Sequence, residues 1–433
     1  MDTEMFANVS WMLVSTALVL LMTPALALFY GGMSRQKSVL NMMMMSFGSL
    51  GVVSVLYVLW GWSMSYGTQD IAGLFANPFE FFGLRNSIGT AESPVISDFG
   101  YPTVIEVGFQ LTFAVIACAL ISGALADRVK FGTWMVFAAL WSTFVYFPLA
   151  HMIWGGGILS EHAHSVSGWM FGAEDGEANV PPVDFAGGTA IHISAGTAAL
   201  LLAIIVGKRQ NFMRSAHRPH NLPFVMLGAA LLWFGWFGFN GGSAHVAGWE
   251  AGLASLNTTA AAAAGILGWL LAEKLRDGHA TSLGAASGVV AGLVAITPAA
   301  GALTPVTSLI LGFIGGILAA FGVALKFRFK FDDSLDVVGV HLIAGLWGTV
   351  GLALFARDNG VFTGDIGYGI KLLIVQTVVA ILTMIYVAIV TAVIAYILEK
   401  TLGWRVDRAV EHGGIDAHVH GETAYDALGM EGK

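Results

Sequence analysis

Eleven stretches of about 20 apolar residues recur along this 433-residue chain, each long enough to cross the roughly 30 Å hydrocarbon core of a bilayer. They fall at 9–31, 41–64, 103–126, 132–152, 186–206, 222–241, 252–272, 281–299, 304–325, 338–356 and 369–398. At that depth no water satisfies backbone N–H and C=O groups, so each stretch must close its own hydrogen bonds as a helix. The expected fold is an all-α polytopic membrane protein with eleven transmembrane helices. Charged residues make up 11% of the chain, against about a quarter in soluble domains.

Basic residues set the orientation. With the N-terminus outside and the C-terminus cytoplasmic, only Arg85, Arg357 and Lys371 of the 20 lysines and arginines fall outside. That asymmetry is the positive-inside pattern. The first span has no basic leader or short apolar core of a cleaved signal and is expected to be retained. The single Cys118 excludes an intramolecular disulfide, and a net charge of −8 gives no basic surface for nucleic acid.

The chain divides into a membrane domain, 1–399, and a tail of about 34 residues, 400–433. A weak internal repeat runs through the membrane part. FYGG ends the first span and FNGG the sixth, and His-x-x-Ala-Gly begins at His192 and again at His341. Spans one to five and six to ten are thus two copies of opposite topology, a pattern that places substrate near the midplane.

The chemistry lies in a few residues. His192 and His341 fall near mid-membrane, where ionisable groups are costly and line pathways. Helix rise puts His192 roughly 12 Å inward from Asp184, and His341 roughly 7.5 Å outward from Asp336. The two rings approach from opposite sides without being forced into contact. Interhelical hydrogen bonding is the plainer reading of both. Asp184 and Asp336 read as helix N-caps, and Asp184 also as an electrostatic partner for a cation.

Trp154 ends the fourth span, Phe239 and Ser243 end the sixth, and Phe109 and Phe113 lie one turn apart near the start of the third. These groups can converge on one outer funnel. The alternatives are an interfacial tryptophan and packing phenylalanines. Aromatic faces attract cations by about 0.5–2 kcal/mol each, and a serine hydroxyl accepts an N–H. Burial penalises the charged form of an amine. A compact protonated amine such as ammonium is therefore expected to shed its proton and pass the imidazoles as ammonia; potassium has no proton to lose. No HExxH or third ligand accompanies the histidines, so neither a metal, a cofactor nor an enzyme is expected.

The motifs ALFYGGM, FQLTF, GALADR, HMIWGGG, DFAGGTAIHISAG, GWFGFNGGSA, DVVGVH and GIDAHVHGETAYD, spread over nearly the whole chain, resemble the ammonium transporter family (Amt/Mep/Rh), and within it the bacterial Amt branch. The resemblance implies a cation recruitment site at Trp154, Ser243 and Phe113. It implies a stacked gate of Phe113 and Phe239, twin pore histidines His192 and His341, and an outer acid at Asp184. Phe109 is a candidate for the vestibule wall. It further implies a homotrimer in the bacterial cytoplasmic membrane, in contact with lipid. Ammonium and methylammonium are the implied substrates, and a PII-type signal protein is the implied cytoplasmic partner. His412, His418 and His420 would belong to a regulatory tail. The alternative function is an ammonium sensor signalling through that partner.

Overall fold

The computed structural model describes residues 3–214 and 218–425. It contains eleven helical spans: Thr3–Met33, Gln36–Tyr66, Thr103–Leu125, Phe131–Ile153, Gly188–Val206, Leu222–Gly241, Trp249–Asp277, Ser282–Ala299, Pro305–Phe329, Val338–Phe355 and Ile366–Thr401. They are called spans one to eleven. Their number and order match the sequence expectation. Several run beyond the apolar stretches because polar ends such as Glu273 to Asp277 continue the helix.

Span eleven shows how one helix serves two solvents. Val379, Thr383, Val387, Thr391 and Ala395 recur every fourth residue and are buried. Ile381, Ile385, Ile389 and Val393 follow the same spacing on another face and are about half exposed. One stripe packs on the bundle, and the other is apolar enough to meet lipid. Asp365 starts the helix, its carboxylate accepting the Gly367 and Tyr368 N–H groups.

Spans five and ten carry the two histidines, and both begin with a widened, π-helical turn, Gly188–Ile193 and Val338–Ile343. The repeated glycines let these turns touch. A Cβ on Gly196 would lie 2.6 Å from the backbone N of Leu342, and one on Gly345 would lie 3.1 Å from His192 Cβ. Each His-x-x-Ala-Gly string therefore offers its glycine to the other string's histidine region.

Opposite the long loops, at the tail end of the bundle, the spans are knotted by buried charge. The Arg128 guanidinium, fully buried, donates to Ala124 O (2.9 Å), Asp332 O (2.7 Å) and Ser334 Oγ (2.5 Å). Burial lowers its pKa to about 10. Arg209 donates twice to the Asp332 carboxylate (2.9 and 2.8 Å). Burial alone would raise the Asp332 pKa, but this guanidinium holds it below the usual carboxylate range.

The tail packs on this knot. Asp416 accepts the Leu40 and Asn41 N–H groups (2.9 and 2.8 Å), two of the free donors at the start of span two. Glu411 accepts from Gln210 N and Arg405 Nη2. His420 Nε2 donates to Asn41 Oδ1 (3.0 Å) and His418 Nδ1 to Gly414 O (2.8 Å). Residues 426–433 of the tail lie outside the described residues.

One capping expectation is corrected. Asp336 does not cap span ten with its side chain. Asp333 does, accepting Val337 N (3.1 Å) and Val338 N (2.7 Å). Asp336 sits at φ +66°, which turns its carboxylate away from the helix start to Lys326 Nζ at 2.5 Å.

Candidate functional site

A cavity of about 720 Å³ opens at the long-loop end. Trp154, Ser243, Phe113 and Asp184 all line it. The last turn of span four delivers Trp154, whose indole Nε1 donates to the Asp184 carbonyl (2.9 Å). The Asp184 carboxylate in turn accepts Gly187 N (3.2 Å), Thr189 N (3.0 Å) and Ala190 N (3.0 Å). Asp184 thus caps the very turn that carries His192, as its sequence position suggests. Burial pushes its carboxyl up to about 6, against the pull of those N–H groups.

The loop holding Asp184 is itself clamped from span eleven. Gln376 accepts Val183 N (2.9 Å) and donates to Val183 O (2.7 Å) and Thr349 O (3.0 Å). Nothing in its local sequence marks this glutamine except its polarity inside an apolar span.

At the floor of the cavity Phe113 and Phe239 stack face to face, ring centroids 4.4 Å apart and planes within 2°. Trp154 meets Phe113 edge-on at 6.3 Å. The Ser243 hydroxyl donates to Phe239 O (2.8 Å), which leaves its lone pairs free to accept. Phe109 does not line the cavity. It is fully buried behind Phe113, centroids 4.7 Å apart, and its other side faces His245. The helix rotation that turns Phe113 into the cavity turns its neighbour one turn away into the wall.

Beneath the stacked rings lies a cleft of only about 10 Å³, bounded by Phe239, Trp236, Ile116, Phe29 and the two histidines. His192 and His341 are in contact, closer than helix depth alone indicates: their Nδ1 atoms are 3.2 Å apart. One Nδ1 donates and the other accepts, so the neutral pair holds complementary tautomers. His192 Nε2 is buried without a protein partner, an orphan of the kind that calls for a ligand.

Sequence reasoning missed Glu106, Gln110 and His245, which also line the vestibule. A carboxylate in an apolar span is a signal in its own right, but no spacing links residues 106 and 245. Among the described residues no group of three His, Cys, Asp or Glu side chains is placed to hold a metal.

The chain from residue 10 to 425 matches the model of the Ammonium Transporter Family. It is 50% identical to an ammonium transporter of Mycobacterium tuberculosis, over 97% of this chain and 90% of that protein. It is 44% identical to one of Bacillus subtilis, over 96% and 97%. Its fold is similar to Saccharomyces cerevisiae Mep2 (TM-score 0.81, 30% identity, 94% of this chain and 88% of that one). It is also similar to a Sensor Amt Protein (TM-score 0.83, 26% identity, 96% and 98%).

Proposed function

This chain belongs to the ammonium transporter family, and from that premise we propose that it recruits ammonium at the vestibule, strips its proton at the stacked phenyl rings, and conducts ammonia past the histidines. It is a multi-pass membrane transporter and not an enzyme. The vestibule is the outer mouth in this reading, and the tail end faces the cytoplasm of a bacterial cell.

One observation carries the mechanism: a face-to-face stacked aromatic pair separates a polar vestibule from a cleft too narrow for a hydrated ion. In the vestibule the cation meets the faces of Trp154 and Phe113, worth about 0.5–2 kcal/mol each, and the Ser243 lone pairs. The Asp184 carboxylate adds negative potential from the wall. Past the rings no water shell remains, and desolvation favours the neutral amine. The proton stays in the vestibule water. Ammonia then accepts or donates a hydrogen bond at the imidazole edges, where His192 Nε2 lacks any other partner.

Uptake and current recorded together in proteoliposomes test this. Ammonium and methylammonium are taken up, and potassium and a quaternary ammonium are not. Equal passage of the quaternary ion would overturn the deprotonation step. Trp154→Ala is expected to raise KM by roughly fivefold to tenfold, the loss of one cation–π contact, with a smaller change in kcat. An unchanged KM would remove Trp154 from recruitment.

The likeness to a Sensor Amt Protein gives the sensor reading its one support. Uptake by purified protein in vesicles separates the two, because a sensor alone moves no substrate. A homotrimer with a pore in each subunit, and a PII-type protein on the cytoplasmic face, are the assembly that this reading carries. The tail, 400–433, acts as the regulatory segment. Deleting 413–433 removes Asp416 and frees the Leu40 and Asn41 N–H groups. The truncated protein is expected to stay folded, at a cost of about 1–2 kcal/mol typical of a lost cap, and to transport several-fold more slowly. Unchanged methylammonium uptake would count against a regulatory tail.

A further inference from the structure

Glu106 and His245 have no part in the scheme above, yet both line the vestibule beside Ser243. Glu106 lies on span three and is buried, a place where a carboxylate persists only with partners. Gln110 Nε2 donates to its Oε1 (2.9 Å), the Tyr101 hydroxyl donates to its Oε2, and His245 Nδ1 lies 3.2 Å from the same oxygen. An ionised carboxylate only accepts, so His245 carries its proton on Nδ1. Tyr101 Oη, also 3.2 Å from that nitrogen, shares it. Nε2 then holds the free lone pair, with no protein partner among the described residues.

The ring is held rigidly for this role. Phe99 stacks on it with centroids 3.7 Å apart and planes 2° apart, and Phe109 meets it edge-on at 5.9 Å. His245 sits at φ +61° on the turn that follows Ser243, its N–H donating to Gly242 O at 2.8 Å. The turn that fixes Ser243 thus fixes the imidazole two residues on.

We propose that Glu106 and His245 form a proton-responsive charge pair that sets how strongly the vestibule attracts its cation. The proposal rests on the recruitment reading given above. With His245 neutral, the pair carries one negative charge on the vestibule wall and favours a cation. Protonation at Nε2 makes an imidazolium–carboxylate pair of zero net charge, and that attraction is lost. Affinity therefore falls as the external pH falls. Both are positioning residues that act on the cation through the field; neither takes up the substrate proton.

The titratable groups packed on the ring are Tyr101, from the loop before span three, and Glu106, from span three itself. Asp98, Glu161, His162 and Asp184 share the vestibule wall. Asp184, whose carboxyl burial pushes up to about 6, adds a pH dependence of its own. Only the part removed by changing His245 belongs to the pair.

The test is methylammonium uptake by the full-length protein in proteoliposomes, with KM and kcat measured at several values between about pH 5 and pH 8. His245→Asn keeps a side chain that tolerates positive φ and cannot become charged. Wild-type KM is expected to rise about fivefold more than that of H245N across that range, the scale of one wall charge acting on a nearby cation. Glu106→Gln is expected to raise KM about fivefold at neutral pH, with kcat changed much less. Superimposable KM profiles for wild type and H245N overturn the proposal. If H245N does not accumulate, E106Q decides alone: an unchanged KM at neutral pH overturns the pair. Wild type that takes up no methylammonium at any pH overturns the transport reading instead, and this proposal with it.

Discussion

His192→Ala lowers methylammonium flux by about 10²-fold or more, the scale on which one positioned proton-handling group acts. Binding in the vestibule, measured by calorimetry on detergent-solubilised protein, is retained. The two readouts separate because the stacked rings separate the sites. His192 lies below the gate, 6.1 Å from the Phe239 ring, whereas Trp154 and Ser243 lie above it. Alanine removes the imidazole edge whose Nε2 has no protein partner and leaves His341 Nδ1 facing an empty space. That orphaned nitrogen costs about 1–3 kcal/mol, so thermal unfolding of the variant must be measured beside its flux. A folded H192A that still binds and no longer conducts supports the pore role. A double H192A/H341A variant that transports at the wild-type rate and still excludes potassium would remove the histidines from the mechanism.

The spans were legible because apolar length is a local property, written in each stretch without reference to the rest. Their ends were less so: Glu273, Lys274, Arg276 and Asp277 are charged yet helical, and only the backbone bonds reveal it. Depth arithmetic brought His192 and His341 toward each other from opposite sides of the membrane but not into contact. Contact depends on Gly196 and Gly345 letting two helices approach, and that is tertiary information. The same holds for Phe109 and Phe113. One turn apart, they share a helix face, and a modest rotation decides which ring enters the cavity. In the string DDSLD three acids compete for one helix start. The positive φ at Asp336 gives the task to Asp333, and no composition rule foretells it. Glu106 and Gln376 are polar residues inside apolar spans, and His245 lies in the loop between spans six and seven. Their partners lie far along the chain, so their joint geometry could not be read from spacing.

Asp184→Ala is expected to lower transport by about 10²-fold or more, because this residue joins two parts of the site at once. Its carbonyl holds the Trp154 indole, and its carboxylate holds Gly187, Thr189 and Ala190 at the start of the turn bearing His192. Alanine keeps the carbonyl and loses the carboxylate, at a cost of about 1–2 kcal/mol for the cap. Asp184→Asn separates that structural role from the electrostatic one. The amide retains one acceptor oxygen and carries no charge. Because burial pushes the native carboxyl up to about 6, its ionisation opposes folding. Wild-type stability from this group is fully present below the unfolded carboxylate value near 4 and is lost as pH rises through about 6. D184N has no such loss, so its melting temperature relative to wild type should climb between about pH 4 and pH 7. Transport should move the other way, with D184N well below wild type at neutral pH, since the negative potential that favours a cation is gone. Opposite signs for stability and flux are what a functional carboxylate held at energetic cost requires. If D184N transported as fast as wild type at pH 7, Asp184 would be a helix cap and nothing more.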